Sequence, residues 1–297
     1  MRNLKHYSES SSDFLDKVIQ SKRTRKNDIS PPYKERITTL SSRIKKNFEE
    51  YENCFERNNL EDLTPRHTYN SKEEKDIKEL YSYSSTHFKQ LRKNILTLDG
   101  NRQLDTCQYC TIDSISSFDH IAPQSIFPQF SAHPKNLFPA CSICNTKKGN
   151  AWLNQNSELH VLNLYLDILP ETQYLFVKIT KEDDSFSVSF FLENRNNICP
   201  ELFQKIENHY TTLNLLERFS HKASGIISEF ETTIKNFLKY PLTFEDIIQT
   251  LSQITADKSR ITGLNHYKNV IELELCNNYE FKKFISSKYL TTNRTTS

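Results

Sequence analysis

Residues 107–150 read CQYCTIDSISSFDHIAPQSIFPQFSAHPKNLFPACSICNTKKGN, and this stretch decides the fold. It holds two C-x2-C pairs, Cys107 with Cys110 and Cys141 with Cys144, separated by 30 residues. Each pair sets two thiolates on one tight turn, and two such turns close a tetrahedral shell around one ion. Soft thiolates select zinc or an iron–sulfur group, and a closed four-thiolate shell leaves no open position, so the centre reads as structural Zn2+. Four unliganded buried thiols are the competing reading, but they do not account for the paired spacing. The chain has seven cysteines, an odd number that argues against a disulfide framework. Cys54, Cys199 and Cys276 lack such partners and read as buried small apolar residues.

Between the pairs lies Asp119-His120; Asn136 follows, and Asn145, Lys147 and Lys148 come directly after the last cysteine. In order, the pieces are Cys-x2-Cys, Asp-His-Ile-x-Pro, Asn-Leu close to Pro-Ala-Cys, and Cys-Asn-x-x-Lys. Over about 45 of the 297 residues this pattern resembles the HNH endonuclease motif of the ββα-metal nucleases, in its zinc-braced four-cysteine form. The resemblance implies His120 as general base, Asp119 and Asn145 as ligands of a catalytic divalent ion, and Asn136 as the residue that holds the loop and orients the backbone of the base. Many members carry His at the last position; Asn145 makes the protein ligands all oxygen, which favours Mg2+ or Mn2+ over a second zinc. It also implies cleavage of DNA to 5′-phosphate and 3′-hydroxyl ends, with RNA left open. More weakly, the whole layout resembles HNH proteins that bacterial anti-phage systems pair with an ATPase, which implies an ATPase partner.

The chemistry has its own logic. Phosphodiester hydrolysis needs an activated water, charge neutralisation on the phosphoryl oxygens and help for the leaving oxygen. A histidine can take the proton from water near neutral pH. Asp119-His120 is expected to end a first strand after Ile115–Phe118. Neighbours on a strand point to opposite faces, so both can serve one phosphate only where the strand ends or bulges. Asn136 belongs to the loop or second strand, and Asn145 is expected to open the helix. Lys147 and Lys148 read either as a solvated helix start or as phosphate contacts. His133, before Pro134, reads as a surface histidine, and Trp152 as a packing residue.

Outward from this segment the chain is mostly helical. Residues 1–100 read as a helical arm, 101–165 as the nuclease core, 166–290 as an α+β region and 291–297 as a disordered tail. The fold class is therefore α+β, mostly α, with a central ββα unit and a small β-hairpin. In the arm, Ser11 or Ser12 could cap a helix near 13–26. Ile37, Leu40, Ile44, Phe48, Tyr51 and Phe55 recur at spacings of 3 and 4, an amphipathic helix. Ser71 with Glu74 looks like a capping box for a third helix with stripe Ile77, Leu80, Phe88, Leu91 and Ile95. Beyond the core, 174–180 and 186–192 read as a hairpin, and 200–240 as a helix with stripe Ile226, Phe230, Ile234 and Phe237. Thr243 then caps a helix carrying Ile247, Leu251 and Ile254.

Net charge is only +2, yet residues 17–46 hold ten basic residues against two acidic ones. Lys22, Arg23, Arg25 and Lys26 lie there; they read as phosphate contacts or as a solvated helix face. Four glycines in the whole chain exclude glycine-rich nucleotide loops. No apolar run approaches a membrane span and no leader is evident at the N-terminus, so a cytoplasmic protein is expected, with no membrane partner. The class opposed to a nuclease is a non-catalytic four-cysteine zinc module that binds nucleic acid or a partner protein.

Overall fold

The computed structural model describes residues 1–24, 30–65, 68–98, 100–183 and 185–290. They form two compact units, one of residues 3–168 and one of Met1–Arg2 with the chain from Leu169 onward. Among the described residues there are ten α-helices and two two-stranded sheets, a mostly α, α+β fold. None of these helices is long and apolar enough to cross a membrane.

In the first unit, α1 (Ser11–Ser21) is capped by Ser10, whose hydroxyl accepts from the Asp13 N–H. The cap lies just before the expected Ser11 or Ser12, and the helix stops five residues short of 26. Lys22 is extended there, and its ammonium bonds the carbonyls of Glu79 and Leu80, each at 3.0 Å. α2 (Tyr33–Glu56) follows Pro32, a residue that suits a helix start because it has no N–H to satisfy. All six residues of its predicted stripe are buried. Each contributes on the order of 2 kcal/mol by leaving water.

The third helix is two. α3 (Ser71–Lys78) and α4 (Thr86–Leu96) are separated by Glu79–Ser85, where serines and tyrosines compete poorly as helix formers. The stripe residues Ile77, Leu80, Phe88, Leu91 and Ile95 are nevertheless all buried. The capping box is Asn70 with Glu73, one residue earlier than Ser71 with Glu74, because Asn70 is the extended residue whose side chain meets the N–H groups of Lys72 and Glu73. Asp76 takes a two-pronged ion pair from Arg36, at 2.7 and 2.8 Å, which fastens α3 to α2.

The ββα element follows. β1 (Ser117–His120) pairs antiparallel with β2 (Leu137–Ala140), with Asp119 opposite Phe138 and His120 opposite Leu137. β1 starts two residues later than expected. α5 (Ser142–Lys148) follows with Cys141 as its N-cap, so Asn145 lies one turn inside the helix rather than at its opening. The connection between the strands packs under α2. There His133 is fully buried, its ring 4.4 Å from Phe48 and 4.3 Å from Tyr51. The surface placement expected for His133 is thus wrong: Pro134 does mark a turn, but α2 covers that turn.

In the second unit, β3 (Leu175–Glu182) and β4 (Ser185–Leu192) form the expected hairpin. The single helix expected over 200–240 is split into α6 (Pro200–Thr212) and α7 (Leu215–Phe237) by Asn214 in the left-handed region, φ 51°. α7 buries Ile226, Phe230 and Ile234, while Phe237 is only half-buried. α8 (Phe244–Thr262) opens with a Thr243–Asp246 capping box and buries Ile247 and Leu251. Ile254 is 39% exposed, and Thr255 takes the buried position. α9 (Tyr267–Asn277) and α10 (Tyr279–Tyr289) complete this unit. Of the three unpaired cysteines only Cys276 is buried; Cys54 is half-buried and Cys199 is exposed at the start of α6.

Behind the ββα element, Glu52 of α2 accepts from the Ser11 hydroxyl and the Lys135 ammonium, and His133 Nε2 faces it at 3.4 Å. Burial pushes the Glu52 carboxyl up, but these partners outweigh burial and take it from 4.5 down to about 2. The unfolded chain therefore binds the extra proton between those values. The stabilisation is complete above about 4.5 and is lost as pH falls toward about 2. Melting curves across that range should show this loss, and Glu52→Gln should flatten it; an unchanged acid limb in the variant would remove Glu52 as its cause.

Candidate functional site

The four paired cysteines converge. Their Sγ atoms all lie within 4.8 Å of one another, and Cys110 and Cys141 are 3.9 Å apart. A tetrahedral ion with sulfur bonds of about 2.3 Å needs sulfurs about 3.8 Å apart, so the four residues fit such an ion. The first pair sits on a knuckle closed by the Thr111 N–H to the Cys107 carbonyl at 2.7 Å. Thr111 holds φ 58°, a left-handed backbone that a β-branched residue rarely adopts. The Ile112 N–H donates to Cys110 Sγ and the Cys144 N–H to Cys141 Sγ, both at 3.4 Å. Hydrogen bonds among the thiols pull Cys110 down and Cys141 down to about 7, while they push Cys107 and Cys144 up.

Tyr109, inside the first pair, carries this centre's position to the next group. Its ring stacks on Phe138 at 4.4 Å, and its hydroxyl donates to Asp119 Oδ2 at 3.1 Å. The other carboxylate oxygen of Asp119 accepts from Lys148 Nζ at 3.1 Å, and the same ammonium bonds the His120 carbonyl at 2.7 Å. Both members of this ion pair are buried. Lys148 thus closes the end of α5 onto the end of β1. Gly149 follows at φ 51° and ψ −123°, a backbone that glycine adopts without strain.

His120 is the last residue of β1, the strand end that two adjacent functional residues require. Its Nε2 lies 3.0 Å from the Ser131 carbonyl. A carbonyl can only accept, so the proton sits on Nε2 and the lone pair is left on Nδ1. The Tyr81 ring meets the imidazole edge-on at 4.8 Å. Burial pushes the imidazole down to about 4, against the opposing pull of the Ser131 carbonyl and Asp119.

Asn136 is fully buried beneath this arrangement and does not line the cleft. Its Oδ1 accepts from the Ala122 N–H at 2.7 Å and from the Tyr51 hydroxyl at 3.3 Å. Its Nδ2 donates to the Ala122 and Phe130 carbonyls, each at 3.1 Å. Its own carbonyl accepts from the Ile121 N–H at 2.9 Å. The amide therefore holds together both ends of the loop that follows His120. Each buried group it satisfies would cost about 1–3 kcal/mol if orphaned.

Asp119, His120 and Asn145 share one cleft of about 340 Å³, which Lys78, Ser125 and Asn150 also line. Asn145 Nδ2 donates to Ser117 Oγ at 3.3 Å and to the Phe118 carbonyl at 3.4 Å. Its Oδ1 has no hydrogen-bond partner among the described residues. The Ser125 hydroxyl donates to Asn150 Oδ1 at 2.6 Å and joins the loop to the end of α5.

The basic candidates separate. Lys147 and Arg23 are exposed, Lys148 is committed to Asp119 and Lys22 to backbone carbonyls, and Arg25 and Lys26 lie outside the described residues. Trp152 packs edge-on against Phe127 at 5.1 Å. Sequence reading missed Tyr109, Tyr81 and Lys78. Tyr109 could have been found from its place inside the C-x2-C turn. Tyr81 and Lys78 carry no sequence signal, since only the packing of α3 brings them here.

Residues 107–151 match the family model described as HNH endonuclease. With the clustered cysteines, the match identifies an HNH domain within this stretch of the chain. The chain is also similar to "Protein ea31" of Escherichia phage lambda, 27% identical over 176 residues, which is 56% of this chain and 58% of that protein. The chain thus spans a little over half the length of the curated relative it matches. No solved structure gives a significant match.

Replacing Lys148 with Met leaves the Asp119 carboxylate buried without its cation. Breaking a buried pair from one side costs about 3–5 kcal/mol. Urea unfolding should register that loss, and the double variant with Asp119→Asn should recover part of it. Equal stability of Lys148→Met and wild type would mean that the pair is not buried as described.

Proposed function

We propose that this chain is a metal-dependent HNH endonuclease that hydrolyses phosphodiester bonds of DNA. The observation that carries this reading is the convergence of His120, Asp119 and Asn145 on one cleft, with the unprotonated Nδ1 of His120 left by the Nε2 bond to Ser131. An imidazole held down to about 4 is neutral at pH 7 and can accept a proton from water. The Ser131 carbonyl and the Tyr81 ring orient it, and Asn136 keeps the loop carrying Ser131 in place.

Asp119 and the free Oδ1 of Asn145 offer an all-oxygen donor set that suits Mg2+ or Mn2+. When bound, such an ion neutralises charge on the phosphoryl and leaving oxygens. Lys148 fixes the direction of the Asp119 carboxylate through one oxygen, and Tyr109 through the other. The four thiolates suit structural Zn2+, which contributes folding energy on the order of 10 kcal/mol in sites of this kind. One observation favours the other class, a non-catalytic zinc module: both oxygens of Asp119 already have hydrogen-bond partners within the protein.

Cleavage of plasmid DNA in Mg2+, Mn2+ and EDTA separates the two. The expected result is nicking with either ion, none in EDTA, and a loss of at least about a hundredfold in His120→Ala with zinc content unchanged. Undiminished nicking by His120→Ala, or no cleavage by the wild type under any divalent ion, would sink the nuclease reading. Independently, elemental analysis should find one zinc per chain, and Cys141→Ser with Cys144→Ser should lose the ion and unfold the nuclease unit. A cysteine-free variant with full activity would rule out the structural metal.

A further inference from the structure

We infer that Lys78, from the N-terminal helices and outside the HNH segment, is a substrate-phosphate ligand of the cleft. The inference rests on the nuclease reading of that cleft and adds to it a residue that the motif does not contain. Lys78 is the last residue of α3 and lines the same space as Asp119, His120 and Asn145. It is the cationic side chain among the residues lining that space, and its ammonium makes no hydrogen bond or ion pair with the described residues. Other basic residues nearby are committed: Lys148 to Asp119, Lys22 to the carbonyls of Glu79 and Leu80, Arg36 to Asp76.

Those commitments hold Lys78 in place. Arg36 grips Asp76 two residues before it, and the Tyr33 hydroxyl donates to the Asp76 carbonyl at 3.0 Å. Lys22 holds the two carbonyls that directly follow it. Tyr81, three residues on, lies against the His120 ring. The end of α3 is thus tied on both sides of Lys78 and registered to the imidazole. A cation anywhere in the last turn of a helix would suit its carbonyl end, and Lys75 also sits there; the end of the helix alone does not explain a lysine in the cleft. The electrostatics does. Lys148 is taken up by Asp119, so of the cleft's own side chains Lys78 is the one left to offer a positive charge to an arriving phosphodiester, beside any bound ion.

The test uses the full zinc-loaded chain and a fluorescein-labelled DNA duplex of about 20 base pairs, with anisotropy read without chelator or added divalent ion from about 50 to 300 mM KCl. Lys78→Met should bind about tenfold more weakly, and its slope of log affinity against log salt should fall by about 0.9, the loss of one phosphate contact. Lys78→Arg should restore most of both. Lys72→Met, an exposed lysine in the first turn of the same helix, should match wild type. The inference is overturned if Lys78→Met keeps wild-type affinity and slope, if Lys72→Met weakens binding equally, or if the wild type binds no duplex. Binding without added divalent ion is independent of catalysis. A binding defect with no cleavage by the wild type would retire the nuclease reading and leave Lys78 standing; wild-type cleavage with unaltered binding by Lys78→Met would retire Lys78 alone.

Discussion

Four sulfur atoms within 4.8 Å of one another are the constraint on which the rest of the HNH unit depends. Two strands of four residues and a helix of seven cannot hold themselves together in water. The cysteines join the knuckle before β1 to the first turn of α5, so the short hairpin between them has both its ends fixed. Tyr109 shows how directly this reaches the site. The turn that brings Cys107 and Cys110 together also stacks Tyr109 on Phe138 and turns its hydroxyl to Asp119.

A second layer is polar and buried. Lys148 ties α5 to the end of β1 through Asp119 and the His120 carbonyl, and Asn136 ties the following loop to itself through three side-chain hydrogen bonds and to Tyr51 of α2 through a fourth. Buried groups of this kind are expensive to leave unpaired, so each acts as a register pin: the loop has one arrangement in which every donor meets an acceptor. The Ser131 carbonyl that orients His120 belongs to that arrangement. The placement of the His120 ring thus follows from the satisfaction of neighbouring backbone groups more than from contacts made by His120.

The third support comes from the N-terminal helices. The buried stripe of α2 covers the loop between β1 and β2, with Phe48 and Tyr51 against His133. Its other contacts anchor α3, whose end reaches the cleft. A segment that looks like an appendage in the sequence thus forms one wall of the site.

Legibility followed the range of the forces. The α2 stripe could be read because the helical repeat places residues on one face whatever the partner is. The clustering of the four cysteines, and the common cleft of Asp119, His120 and Asn145, could be read because motif spacing is local. The capping box was misplaced by one residue because Asn70 and Ser71 are both good caps, and only the backbone of Asn70 is extended. The third helix and the 200–240 helix were read as continuous because the apolar pattern persists across their breaks. His133 and Lys148 were misread for a different reason: polar side chains follow their partners, and Glu52 and Asp119 are remote in sequence. By itself, the sequence determined the thiolate shell, the strand-end placement of His120 and the mostly helical class. Tertiary structure alone decided which lysines around the cleft are spent on protein oxygens, because an ammonium goes to whichever oxygen the packed chain brings within reach.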